Sequence, residues 1–463
     1  MEVKPENYTD SVLIGYDGTI EEAQEFGKQN NLQFMRQVVR SFYEFRVVGA
    51  KQMSTSPVNI DLRRLTERDN KVKGLEQQKV RFMRKKTVLR EKIFSNRTEV
   101  NHQRFRRAIT VSDAQWSNQW HLQTSQHPSM GVQNAWNKGF NGSGITMAIV
   151  DDGIDTSHSD VNYDATLSYN FNHNIADPNH VLAGDVHGTS CAGVAAASKN
   201  TECVIGTAFE AKIAGLRLID SETGATDADE AAALIYKLSD IDIYSNSWGP
   251  SDDGTIVVPL PRVVYEAFVE GVEKTTTGPF NTCVNDFDGT SAACPLAAGI
   301  IALTLQANNA LTWRDIQHLI VETSVTDGLN IEFFSNGAGK KVNSYVGFGL
   351  MNAENMVDAA ASWKTVPPAI SCYASSTVWK SNILSSLITD RVDLSACKVL
   401  YTEHVTIKVN FQSAYRGATI INLQSPNLTE KNVLSNRDND IDANEITWTF
   451  MTVHFWGESA AGS

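Results

Sequence analysis

Three short contexts bring together groups able to do nucleophilic chemistry. Asp151 ends the apolar run Ile145-Thr-Met-Ala-Ile-Val150. His187 opens His-Gly-Thr-Ser-Cys-Ala-Gly193, and Ser291 follows Gly289-Thr290 at the head of an apolar stretch reaching Leu305. A serine hydroxyl becomes a useful nucleophile when a base takes its proton; an imidazole can be that base when a carboxylate holds its other nitrogen. Singly each context is ordinary: Asp-Gly is usually a turn, and a histidine opening a helix is usually a cap. Together they follow the chain order Asp, His, Ser, one of the few orders in which such sets occur.

The elements around them are those that could hold such a set. The run from Ser291 to Leu305 reads as a helix buried on all sides, too short to cross a bilayer, with Pro295 in its first turns where proline is tolerated. Its positive end would favour negative charge on a reacting oxygen. Ile145–Val150 is apolar on both faces, as a buried parallel strand requires, and its trailing acid falls where α/β folds place their sites. His187–Ala197 reads as a small-residue helix, Ala211–Leu218 and Ile241–Tyr244 as strands, and Asp227–Leu238 as an alanine-rich helix. This alternation predicts right-handed βαβ units. Thr312-Trp-Arg-Asp315 starts a further helix, with Trp313, Ile316, Leu319 and Ile320 on its core face.

The flanks differ. In residues 1–107, Ser11–Ile14 and Ser41–Val48 read as strands and Ile20–Asn30 as a polar helix. From Arg63 to Arg107 the chain is crowded with basic residues, including Arg81-Phe-Met-Arg-Lys-Lys86 and Arg104-Phe-Arg-Arg107. Such runs are either solvated linkers or protease cut sites. After Pro367-Pro368 the pattern turns to alternation, at Val405–Phe411, Ala418–Leu423 and Ile446–Val453, as in the half-buried strands of a β-sandwich. No further strand follows to close that sheet. The 463 residues carry a net charge of −13, which disfavours nucleic acid as a partner and suits basic ligands. Six cysteines allow two or three bridges, and Met1–Asp10 has no apolar signal core.

Asp-Asp-Gly-Ile at 151–154, His-Gly-Thr at 187–189, Tyr-Ser-Asn-Ser-Trp-Gly-Pro at 244–250 and Gly-Thr-Ser-Ala-Ala at 289–293 resemble the motifs of subtilisin-like serine proteases. Leu-Thr-Trp-Arg-Asp-Ile-Gln-His-Leu at 311–319 and His454-Phe-Trp-Gly-Glu458 resemble the kexin/furin-type proprotein convertases within them. The resemblance spans nearly the whole chain. It implies a small α+β propeptide (1–107), an α/β subtilisin-like catalytic domain with a parallel sheet and helices on both faces (108–362), and a C-terminal β-sandwich P domain (369–463). It further implies that Ser291 attacks the scissile carbonyl, His187 takes its proton and Asp151 orients the imidazole.

On matching positions Asp252 would line the first pocket, Asp152 the second, and Asp227 and Glu230 a more distant one, with Trp248 and Gly249 also binding substrate. Carboxylates facing guanidinium groups would select basic residues before the cut. The propeptide would be an intramolecular inhibitor, cut after Arg107 or after Lys86. Cys203 with Cys283 and Cys372 with Cys397 would form bridges, leaving Cys191 a buried thiol and Cys294 in place of alanine. Asp113, Asp160 and Asn200 would bind a structural Ca2+. Basic precursor proteins would be the substrates and the secretory pathway the setting. No membrane span is expected. Sequons stand at Asn7, Asn96, Asn141 and Asn427.

One block departs from this pattern. Between Trp248-Gly249 and Gly289 the chain is much shorter than subtilases are, with an apparent join near Lys274-Thr275. The lost stretch would hold the asparagine that donates to the oxyanion, part of the first pocket and two sheet strands. Removal of one such donor costs on the order of 10²–10³ in turnover. Two readings follow: a convertase impaired by this loss, or a non-catalytic pseudoprotease or splice form that binds basic peptides or propeptides.

Overall fold

The N-terminal unit is an antiparallel sheet organised around one buried strand. β1 (Tyr8–Tyr16) leads through helix α1 (Ile20–Gln29), opened by a Thr19/Glu22 capping box, to β2 (Leu32–Val39) and β3 (Phe42–Val47). β4 (Met53–Ser54), helix α2 (Leu62–Arg68) and β5 (Val72–Lys79) complete it, with β3 and β5 on either side of β1. Alternation sends Val12, Ile14 and Tyr16 toward Phe26 of α1 and sends Leu13, beside Val38, Val39 and Phe42, to the opposite face. The computed structural model describes residues 7–58, 60–85, 109–125, 128–182, 184–249, 261–264, 290–376 and 388–460.

The first part of the basic tract is therefore not a linker. Leu65 and Val72 are buried, and β5 pairs Leu75 with Ile14 and Glu76 with Leu13 in the middle of the sheet. The charged residues hid a short amphipathic helix and a strand with only a few apolar positions. Past β5, residues 84 and 85 form a last short strand, β6 (Arg84–Lys85).

The second unit is α/β. Helix α3 (Val132–Asn137) precedes β7 (Thr146–Asp151), β8 (Tyr169–Asn170), helix α4 (His187–Ala196), β9 (Lys212–Arg217), helix α5 (Asp227–Leu234), β10 (Ile243–Asn246) and β11 (Trp248–Gly249). The parallel sheet has the order β10-β7-β9-β8 among the described residues. Successive strand residues serve opposite layers. Met147, Ile149 and Ile213 meet Trp136, Ala192, Ile300 and Met356, while Ala148, Val150 and Leu216 meet Phe171 and Ala233.

Helix α6 (Thr290–Ala307) crosses this core. At 18 residues and mean hydropathy 1.4 it is long and apolar enough to span a membrane, contrary to the length expected from sequence, yet half of it is buried in the protein. It is not enclosed on all sides either: Thr290 and Ala293 are exposed. Gly299 lets it approach α4 closely, since a Cβ there would lie 2.5 Å from Thr207 Cβ and 3.1 Å from the Ala195 carbonyl. Helices α7 (Trp313–Thr323), with its Thr312/Asp315 capping box, and α8 (Ala353–Ala360) close the layer, with the hairpin β12 (Phe334–Ser335) and β13 (Lys341–Val342) between them.

The third unit pairs β14 (Val405–Phe411) with β17 (Ile446–Thr452) and β15 (Ile421–Gln424) with β16 (Glu430–Leu434). It is clasped to the second. Arg314 and His318 of α7 both contact Glu403, and the Trp456 ring packs edge-on against His318 at 4.8 Å. The hairpin joins in: Asn336 donates to the carbonyls of His454 and Trp456, and the Gly337 amide donates to Glu458. Arg314 and its hydrogen bond hold Glu403 below the ordinary carboxyl range. A disulfide links Cys372 and Cys397.

Candidate active site

Asp151, at the C-terminal end of β7, and His187, first residue of α4, meet with both buried; Nδ1 lies 2.9 and 3.1 Å from the two carboxylate oxygens. Val186, ahead of the helix, provides no side-chain cap. Asp152 caps it from β7 instead, accepting from the His187 amide at 3.2 Å and the Gly188 amide at 2.7 Å. Successive acids thus hold one histidine by ring and by backbone. Gly188 admits them: a Cβ there would lie 2.8 Å from Asp151 Cβ.

Ser291 reaches the same place from α6 and is fully buried. Its hydroxyl donates to the Ser247 carbonyl at 3.0 Å. Cys191 lies between, its Sγ 4.0 Å from His187 Nδ1 and from Asp151 Oδ2 and 3.6 Å from the Ser291 carbonyl oxygen. The structure therefore joins the carboxylate to the imidazole and links both through Cys191 to the backbone of Ser291, while the Ser291 hydroxyl is directed at Ser247.

Sequence reasoning missed Arg217. It ends β9 opposite Asp151, is 0% exposed, and gathers four segments: Asp152 O at 3.1 Å, Asn172 at 3.0 Å, and Asp185 and Asp220 each at 2.9 Å. The available signal was a lone cation in the apolar run Ala214-Gly-Leu-Arg-Leu-Ile-Asp220, with an acid three residues on.

The acids expected to recognise basic residues divide. Asp152 is 0% exposed and serves the helix cap. Asp227 pairs with Arg81, whose Nε lies 3.0 Å away, while the Arg81 and Ala225 backbones bond reciprocally at 2.7 and 2.9 Å. Gly224 permits that approach, because a Cβ there would meet Val80 at 2.5 Å and the Arg81 carbonyl at 2.6 Å. Gln78 accepts from the Ala228 amide at 3.0 Å, and Arg36 pairs with Asp229 at 2.6 Å. Leu13, Val38, Val39 and Phe42 pack on Ala228, Ala231, Leu234, Val263 and Val264. Then β6 pairs antiparallel with β11: Lys85 lies opposite Trp248 and Arg84 opposite Gly249. The N-terminal unit thus docks on α5 and sends its basic end along Trp248-Gly249. Asp252, Lys86, Arg107 and Cys283 lie outside the described residues.

Burial, and then the nearby Asp227, push the Glu230 carboxyl up to about 7, against the pull of Arg81. Held protonated in the folded chain above its ordinary 4.5, it stabilises the fold at low pH and ceases to do so as pH climbs to about 7. Stability should fall by on the order of 3 kcal/mol across that window. Glu230→Gln should flatten that slope in melting curves taken from pH 4.5 to 8; an unchanged slope would contradict the assignment.

Asp113, Asp160 and Asn200 come together at the other end of the second unit. Asp113 Oδ1 accepts from the Asn200 amide at 3.1 Å, its buried Oδ2 has no hydrogen-bond partner among the described residues, and the Asn200 side chain donates to Asp160 at 2.7 Å. Burial raises the Asp160 carboxyl, and neighbouring Asp113 adds to this. Two buried carboxylates, one with an orphaned oxygen, fit a hard cation that takes oxygen ligands. Cys203 is disulfide-bonded; Cys191 and Cys294 are free.

A parallel sheet carrying an acid at one strand end, a histidine opening the next helix and a serine opening a buried helix is the frame of a subtilisin-like hydrolase. Two solved structures share this fold: a serine protease of Aeromonas sobria (TM-score 0.65, 17% identity, 77% of this chain and 88% of that one) and fervidolysin from Fervidobacterium pennivorans (TM-score 0.53, 16%, 98% and 70%). The chain matches the subtilase family over residues 142–261 and 256–349 and the proprotein convertase P-domain over 402–463. It is 33% identical to human proprotein convertase subtilisin/kexin type 6, over 85% of this chain and 48% of that protein, and 31% identical to mouse furin, over 98% and 65%. The chain belongs to the kexin/furin-type proprotein convertases of the subtilase family. It spans about half the length of the first of these relatives. The two alignments run over 485 and 539 positions while covering only 85% and 98% of 463 residues, so within the matched span the relatives carry residues that this chain lacks.

Proposed function

We propose that the chain is a serine endopeptidase of the convertase type, built to cut precursor proteins after paired basic residues and impaired by loss of the segment that carries the oxyanion asparagine. One observation carries the basic specificity: the chain's own Arg84-Lys85 lies as an extra strand on Trp248-Gly249 while Arg81 sits on Asp227. A peptide added to a sheet edge takes affinity from its backbone and selectivity from its side chains. In this reading Lys86, the next residue, precedes the primary cut, and Arg107 marks a second. Residues 1–107 act as propeptide, 108–362 as catalytic domain and 369–463 as P domain.

In the reaction the Ser291 hydroxyl turns from the Ser247 carbonyl toward His187, which takes its proton as oxygen attacks the scissile carbonyl. Asp151 fixes the ring and offsets the imidazolium charge. His187 then returns the proton to the leaving amine. The family match falls into two pieces meeting at 256–261, which favours an interruption in the stretch that should supply the amide donor. The second reading, a pseudoprotease that binds basic peptides, is favoured by that same interruption. A fluorogenic peptide with Arg-Xaa-Lys-Arg separates the two: slow turnover abolished by Ser291→Ala supports the protease. Binding without turnover sinks it for this chain.

The convertase setting is the secretory pathway, with Ca2+ held by Asp113, Asp160 and Asn200 to brace the loop ahead of the core. Calcium at a hundred times its Kd should stabilise the chain by about 2.7 kcal/mol. Differential scanning fluorimetry with Ca2+ or a chelator tests this, and Asp113→Asn should abolish the shift. An equal shift in that variant places the ion elsewhere.

A further inference from the structure

We infer that Ser247 and Cys191 are positioning residues for the nucleophile, supplying the donors that Pro295 withholds from the Ser291 carbonyl. In an α-helix each amide donates to the carbonyl four residues earlier. Proline has no amide hydrogen, and its ring crowds that carbonyl. Pro295 stands inside α6, and the residue four before it is Ser291. The one helical bond lost is the one to the nucleophile's own carbonyl, in a residue that is fully buried. An unmatched buried carbonyl is unfavourable enough that folded proteins almost always provide a substitute donor.

Among the described residues, Ser247 and Cys191 supply donors. Ser247 Oγ approaches the Ser291 carbonyl at 3.4 Å, and Cys191 Sγ at 3.6 Å. Ser247 also accepts the Ser291 hydroxyl on its carbonyl at 3.0 Å, so the two serines are clasped reciprocally. Cys191 comes from one turn after His187 on α4 and also borders Asp151. Burial raises its pKa, which keeps the thiol protonated and able to donate. The peptide plane after Ser291 is thereby oriented by the histidine's helix and by the residue ahead of Trp248-Gly249, and its own helix is relieved of that task. A thiol near the histidine otherwise reads as small-residue packing. The missing proline bond gives it a polar function.

This role rests on the reading of Ser291 as nucleophile, and the test separates the two. The rate at which a fluorophosphonate labels Ser291 in the whole chain should fall about three- to tenfold in Cys191→Ala, the size of one lost hydrogen bond. Cys191→Ser, which keeps a donor, should recover most of it. Pro295→Ala returns an amide to the helix, so in that background Cys191→Ala should cost little. The S–H stretch of Cys191, identified by its loss in Cys191→Ala, should move to higher frequency in Pro295→Ala as the carbonyl passes to the helix. Equal losses in both backgrounds, or an unmoved S–H band, would overturn the role. A wild-type chain that is never labelled would sink the nucleophile reading, and this role with it.

Discussion

Arg217→Met should destabilise the chain by about 3–5 kcal/mol, because removing one partner of a buried ion pair leaves the other charge unmatched. Here two carboxylates lose their partner together: Asp185 and Asp220 each lie 2.9 Å from the same guanidinium nitrogen, and both are almost fully enclosed. The effect should extend to the site, since Arg217 also holds the Asp152 carbonyl and Asp152 caps the helix that begins with His187. Urea titration of the full chain reads the first effect. Adding Asp185→Asn to Arg217→Met should recover part of the loss, which a merely steric explanation would not predict. A loss under about 1 kcal/mol would mean that water or another cation compensates the acids.

His187→Ala should reduce fluorophosphonate labelling of Ser291 by on the order of 10⁴- to 10⁶-fold. The proposed mechanism assigns the imidazole as the base for this hydroxyl, and Asp151 holds its ring at 2.9 Å. Asp151→Asn should act in the same direction by leaving the wrong ring nitrogen protonated, at about 10⁴-fold. Labelling that persists in His187→Ala at the wild-type rate would mean that Ser291 is activated by something else or is not activated. Circular dichroism distinguishes this from unfolding, because α4 retains its Asp152 cap.

The elements that carry Asp151, His187 and Ser291 were legible in the sequence because each of the three residues ends or begins an element with a strong pattern. An apolar run such as Ile145–Val150 has few alternatives to a buried strand, and a run of small residues after His187 suits close helix packing. The tract after Arg63 was not legible: β5 alternates too weakly, with Lys73, Glu76 and Gln77 among its residues. Its place is set by pairing with β1, a strand that begins more than fifty residues earlier. Arg217 was missed for a similar reason. A charge at a strand end reads as an exit from the core, and nothing local announces partners at 152, 172, 185 and 220. The Ser247–Ser291 clasp joins residues far apart in the chain and so had no local signal, although Pro295 and the serine four residues before it stand together in the sequence.

The strand at Arg84–Lys85 reaches its groove while still joined to the sheet that docks on α5. While that join is covalent, no dilution can empty the groove, because the occupant travels with its host at an effective concentration that short linkers place in the millimolar range. A single cut beyond Lys85 would turn this permanent tenant into an ordinary ligand. Its departure would then be governed by the Arg81–Asp227 and Arg36–Asp229 contacts and by the acidity of the surrounding solution.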